Sequence, residues 1–170
     1  MPVVVTTQGS EVRLVAHLAR ANPQWHDLEA HPVLVVLSGP HADSSPSHYE
    51  QTRNVPTWNY VAVHAYGHAR LVLVTEPTQA LAILAATITQ YEPSHQPQWD
   101  RLPPDYQARL LQGIVAFEVT ITELQGQQKL SQNKTPTEQQ RIREALAGSS
   151  EQSAREVAAY MGRFASAAMP

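Results

Sequence analysis

The sequence contains no cysteine. A disulfide framework, a thiol nucleophile and a Cys-ligated metal are therefore excluded, and the composition fits a reducing compartment. Long apolar runs are also missing, since no stretch approaches the roughly 18–20 residues that a membrane-crossing helix needs. The N-terminal "MPVVVTTQGS" has no basic region followed by a long apolar one. This sets the expectation of a cytoplasmic protein rather than a secreted or membrane-bound one. Basic charge is not in excess either: the net charge is −3 and the pI is near 6.2. Domains whose main task is to neutralise a phosphate backbone usually show a basic patch and a pI above about 9, so direct DNA binding is disfavoured. Finally, no G-x-G-x-x-G, G-x-x-x-x-G-K-[ST] or G-x-S-x-G occurs, which removes the commonest nucleotide cradles and the nucleophile elbow.

What is present reads as an ordinary globular chain. Its 170 residues, 42% hydrophobic and 16% charged, suit one domain over 1–170. "PVVVTT" and "EVRLVAHL" read as two strands joined by a turn. Asn22 is a good N-cap with Pro23 at the first helical position, so a short helix is expected over about 23–30. The continuous apolar run "PVLVVLSG", ended by Gly39 and Pro40, reads as a buried strand. Residues 40–57 lack periodicity and read as a long loop, and a hairpin of two strands is expected around Gly67. Helices are expected over 76–92 and 104–112, the latter stopping at Gly113. "IVAFEVTITEL" alternates as a half-buried strand, and "QGQQKLSQNK" reads as a polar loop. Thr135, Pro136 and Glu138 make a capping box with proline at the first helical position, opening a C-terminal helical segment of about 136–166. The strands are not interleaved one by one with helices, so the class expected is mainly β with peripheral helices (α+β), and a small barrel suits it.

Candidate chemistry is scattered. In "HLARANPQW", at a strand-to-helix junction, His17, Arg20 and Asn22 could meet an anion such as a phosphate. The alternative is that Asn22 only caps and Arg20 is a surface charge, and spacing alone favours that alternative. Of the eight histidines, His64 and His68 are four apart but not on a predicted helix, so no metal site is assigned. Ser44, Ser45 and Ser47 lie near His41 and His48 without any triad signature, and no catalytic residue is assigned. Trp58 and Tyr60 share one strand face with Asn59 on the other. They could stack on a flat heterocycle, or pack in a core or subunit interface. "KLSQNK" concentrates two cations, a hydroxyl and two amides, or is a solvated loop.

Taken together, "HLARANPQW", "GPHADSSPSHY", "VPTWNYVAVHAYG" and "KLSQNK" resemble the PaiB-type FMN-binding transcriptional regulators, from about Pro2 to Leu146. The resemblance implies an FMN-binding split β-barrel, a homodimer, and a flavin site at the interface. It implies that His17, Arg20 and Asn22 stand at the flavin phosphate and that Ser45, Ser47 and Tyr49 lie near the cofactor. Trp58 and Asn59 would stand close to the ring or the dimer seam, with Ser131, Gln132 and Asn133 closing the pocket. Two departures stand out. Asp43, Ser44 and His48 replace two aromatics and an aliphatic of the family's loop, which weakens flavin binding. The family's N-terminal helix and strand, which precede the segment matching "PVVVTT", have no counterpart in this sequence.

Three functions follow from the resemblance. The first is an FMN-binding regulator of transcription, acting without an evident DNA-binding element of its own. The second is a flavin-dependent oxidoreductase of a small molecule, in which the flavin carries the redox chemistry. The third is a cofactor-free binding protein that has lost FMN. The first is the reading preferred.

Overall fold

A computed structural model describes residues 1–165 other than Thr52 and Val74. Five strands, β1 (Val4–Gln8), β2 (Glu11–Ala19), β3 (Val33–Ser44), β4 (Thr57–Val72) and β5 (Ile114–Lys129), form one sheet in the order β1-β2-β5-β4-β3. β1 pairs antiparallel with β2 through a turn at Gly9, whose φ of +61° suits a residue without a Cβ. β2 pairs antiparallel with β5, placing His17 opposite Ala116. The helices are α1 (Pro77–Tyr91), α2 (Gln96–Trp99), α3 (Pro104–Gln112), α4 (Pro136–Ala147) and α5 (Gln152–Ala165). The architecture is thus mainly β with peripheral helices, α+β, as the sequence pattern implies.

The chain groups into two compact units. In the first, Met1–Val35 with Ala65–Leu124, the alternation of β2 feeds two clusters. Leu14 and Ala16 pack with Phe117, Val119, Ala65 and Leu28. Val15 turns to the opposite face and packs with Ala80 and Ile83 of α1 and Leu111 of α3. In the second, Val36–His64 with the residues from Gln125 on, α4 and α5 bury Ile142, Leu146, Val157 and Met161 with Tyr49 and Leu130. Burying a side chain such as Val157 fully contributes about 1.5–3 kcal/mol. The capping box forms as expected. Thr135 Oγ1 accepts from Glu138 N at 3.2 Å, and a Glu138 carboxylate oxygen accepts from Thr135 N at 3.1 Å.

Several sequence expectations change. No turn occurs at Gly67, which lies inside the unbroken strand β4. A Cβ there would stand 2.2 Å from the Thr120 carbonyl oxygen, so the glycine serves close strand approach rather than a turn. The second half of the expected hairpin included Val74, which lies outside the described residues, as does Thr52 of the expected loop and residue 166 of the C-terminal segment. β3 does not stop at Gly39 and Pro40 but runs on to Ser44. It is an edge strand, where a proline's missing N–H costs no ladder bond. Nor is β3 buried throughout: Leu34 and Val36 remain 46% and 52% exposed. The expected helix after Asn22 is a 3-10 turn, Pro23–Asp27, and β5 extends to Lys129, through residues that read as a loop because they are polar and exposed.

Candidate functional site

The candidate residues of the first unit are His17, Arg20 and Asn22. His17 lies two positions beyond Val15 and so shares its helix-covered face. It lines a cavity of about 310 Å³ with Leu84 and Ile88 of α1, Leu110 of α3 and Ile114 of β5. Its Nδ1 is shielded from solvent and meets no hydrogen-bond partner among the described residues. Burial pushes the imidazole pKa below its ordinary value, so the ring is neutral at pH 7. Asn22 is used locally: its Oδ1 accepts from Gln24 N at 3.0 Å and caps the 3-10 turn.

Arg20 follows directly on β2 and is held on several sides. Its Nε donates to the Gln112 carbonyl at 2.8 Å and its Nη2 to the Ile114 carbonyl at 2.8 Å. The guanidinium lies 5.9 Å from the Trp25 ring centroid, and Trp25 Nε1 donates to the Arg20 carbonyl at 3.0 Å. The carbonyls lie 92 and 94 positions along the chain, which is why spacing around "HLARAN" could not show them. The residue is exposed, and Nη1 takes part in neither carbonyl bond. A planar cation fixed in this way is preorganised for a bidentate or point contact with an anion.

In the second unit, polar groups largely satisfy one another. Asn59 is 0% exposed, with Nδ2 donating to Ser131 Oγ at 3.0 Å and Ser131 Oγ lying 3.1 Å from Asn59 Oδ1. Ser131 holds a left-handed backbone with φ of +59°, a conformation that costs a non-glycine residue energy and that this buried contact helps to hold. Ser45 Oγ accepts from Ser47 N at 3.2 Å and lies 2.9 Å from Ser47 Oγ, closing the turn over Pro46–His48. Tyr49 is buried, and its hydroxyl lies 3.3 Å from both the carbonyl oxygen and the Oγ of Ser44. Gln132 bonds the main chain on both sides, accepting from Leu130 N at 2.7 Å and donating to the Gln128 carbonyl at 2.8 Å. Asn133 and Asp43 are exposed.

Three further residues enter here that sequence reading did not assign to the flavin site. Lys134 Nζ lies 3.6 Å from the Tyr49 ring centroid, a cation–π contact, and reaches Asn54 Oδ1 at 3.3 Å. Glu138 accepts from Glu50 N at 2.9 Å in addition to its capping bond. These backbone bonds, that from Glu50 first, hold its carboxyl below the ordinary range against the opposing effect of burial. His41 stacks on Trp58 with centroids 5.4 Å apart and planes 25° apart, and Trp58 is 50% exposed. That pair is a flat aromatic surface open to solvent.

A flavin mononucleotide offers two things to recognise, a dianionic phosphate and a flat fused ring. Arg20 suits the first and Trp58, backed by His41, the second. The residues present fit the group in these two respects, considered unit by unit. Asn59 and Ser131 bond each other, a contact that helps to hold the left-handed backbone of Ser131.

Comparison with known proteins supports this chemistry. Residues 1–123 match the family described as "Putative FMN-binding domain". The chain is 36% identical over 165 residues to the protease synthase and sporulation protein PAI 2 of Bacillus subtilis, covering 95% of this chain and 77% of that one. It is also 32% identical over 152 residues to an uncharacterized protein of Emericella nidulans, covering 70% of this chain and 60% of that one. Among solved structures, an FAD- and heme-binding protein from Mycobacterium smegmatis superposes with a TM-score of 0.53 at 13% identity, over 76% of this chain and 58% of that one. That likeness speaks for the fold, a split β-barrel. With a family match across most of the length and PAI 2 similar over nearly all of it, the chain belongs to the PaiB-type FMN-binding family.

Proposed function

We propose that this protein holds FMN and acts in the cytoplasm as a homodimeric, PaiB-like negative regulator of transcription, its residues forming one functional domain. The observation that carries the flavin part is the exposed Arg20 guanidinium, fixed by the Gln112 and Ile114 carbonyls. A fixed cation meets a phosphate without first losing side-chain freedom. Trp58 is the ring-side residue, and Ser45, Ser47, Tyr49, Gln132 and Asn133 are its neighbouring candidates. In this reading FMN supplies the redox-active ring, while the chain binds and orients it. The regulatory part rests on the family and on the name of the Bacillus relative, which ties that protein to protease synthesis and sporulation. With a net charge of −3, the regulation proposed runs through a partner rather than through direct contact with DNA. The dimer is supported by the exposed apolar side chains of edge strand β3, Leu34, Val36 and Leu37, which a second copy would cover.

The test is an absorption spectrum of the protein after incubation with FMN and gel filtration. Retained flavin in wild type, lost in Arg20→Ala with an unchanged circular dichroism spectrum, supports the site. A colourless wild-type protein at every FMN concentration overturns it. Sedimentation equilibrium of wild type against Val36→Lys decides the dimer, which predicts a halved mass for the variant.

A further inference from the structure

Ser153, in the first turn of α5, meets the main chain of β3 112 positions earlier in the sequence. Its Oγ accepts from His41 N at 2.8 Å and donates to the His41 carbonyl oxygen at 2.8 Å. β3 stands at one edge of the sheet, and alternate residues of an edge strand direct their N–H and C=O away from the ladder. A hydroxyl is both donor and acceptor, so this one side chain does at His41 what a neighbouring strand would do.

The hydroxyl is set in place by packing. Ala154 and Val157 of α5 are buried in the same cluster as Ala42, the residue that follows His41 on β3. The His41 side chain, by contrast, is exposed and stacks on the half-exposed Trp58, with centroids 5.4 Å apart and planes 25° apart. An exposed ring is not confined by a surrounding core, so where it stands depends on the main chain that carries it and on the face it meets. Edge strands are also where a sheet opens first when their outward groups lack partners.

We infer that Ser153 is a positioning residue for the flavin ring: by fixing the His41 main chain, it sets the imidazole that backs Trp58. The inference rests on the reading of Trp58 as the ring-side residue.

The test compares Ser153→Thr with Ser153→Val in the full chain, two side chains of like shape of which only threonine keeps the hydroxyl. NMR spectra report the exchange rate of the His41 amide and the upfield shift that the Trp58 ring imposes on the His41 ring protons, and FMN titration reports flavin affinity. In Ser153→Val, amide exchange should quicken about fivefold, the worth of one net hydrogen bond. The His41 ring protons should move downfield, and FMN affinity should fall about two- to tenfold, the worth of one aromatic pair. Ser153→Thr should stay close to wild type in all three. Ring-proton shifts unchanged in Ser153→Val, or equal losses in the two variants, overturn the inference. Moved ring protons with unchanged FMN affinity overturn the role toward the flavin. Wild type that takes up no FMN overturns the flavin reading itself, and the ring shifts then decide separately whether Ser153 sets His41. Should Ser153→Val fail to fold by circular dichroism, Ser153→Ala takes its place with the same outcomes.

Discussion

His17 on β2 and Asn59 on β4 are both polar residues carried by strands and shielded from water, and they have been treated in opposite ways. Asn59 has its amide nitrogen and oxygen met by Ser131 within about hydrogen-bond distance, 3.0 and 3.1 Å. His17 has Nδ1 unpartnered and an apolar cavity beside it. A satisfied buried polar pair fixes one backbone arrangement, here a left-handed Ser131. Among the described residues, His17 keeps an unpartnered Nδ1 that solvent does not reach, a standing cost that the fold carries. The resemblance implies that Asn59 and Ser131 stand near the flavin; in the fold they bond each other, while Arg20 and Trp58 keep exposed surface.

Substitutions sharpen this contrast. The largest effect is expected where neither pair is touched but the sheet beneath the first is forced apart. Gly67→Ala places a Cβ 2.2 Å from the Thr120 carbonyl oxygen and 2.9 Å from Val119 Cγ1, and should cost about 3 kcal/mol or more in urea unfolding. Gly39→Ala, whose nearest atom is the Val61 carbonyl at 3.0 Å, should cost clearly less. Next comes the satisfied pair. Asn59→Leu strands the buried Ser131 hydroxyl and should cost about 2 kcal/mol, whereas His17→Phe breaks no hydrogen bond and should lie within about 0.5 kcal/mol of wild type. Equal losses for these two variants would break the comparison.

The pH dependence of stability gives a smaller, separable effect. The lowered carboxyl of Glu138 binds fewer protons folded than unfolded at acid pH. Its contribution is present above the ordinary carboxylate pKa and is lost as pH falls through the lowered folded value. The lowered imidazole of His17 has the same sign in a higher window: stability declines as pH drops below the ordinary histidine value, because the unfolded chain takes up the proton first. Glu138→Gln should flatten the acid limb and His17→Phe the limb just below neutrality, read as unfolding midpoints in urea between pH 4 and pH 8.

Sequence patterns carried much of this architecture and stopped at identifiable places. Thr135 and Glu138 announce α4 because both halves of a capping box are local. Gly67 misleads, since a glycine in an alternating run signals a turn and a close strand crossing equally, and only Thr120, more than fifty positions later, distinguishes them. Pro40 misleads because edge and central strands read alike until the strand order is known. The polar tail of β5 shows no alternation, as both its faces are exposed. At the candidate site, the types of Arg20 and Trp58 were legible, but their partners were not. Arg20 is fixed by carbonyls, which every residue has, and Trp58 is backed by His41 from a neighbouring run. Likewise, His17 faces α1 and α3, a placement that follows only from the phase of β2 against its two clusters.

Titration of FMN fluorescence with wild-type protein tests the account most directly. It should show saturable quenching at one flavin per chain, much reduced in Arg20→Ala. Fluorescence that stays at the free-flavin level while the protein is raised far above the flavin would contradict it.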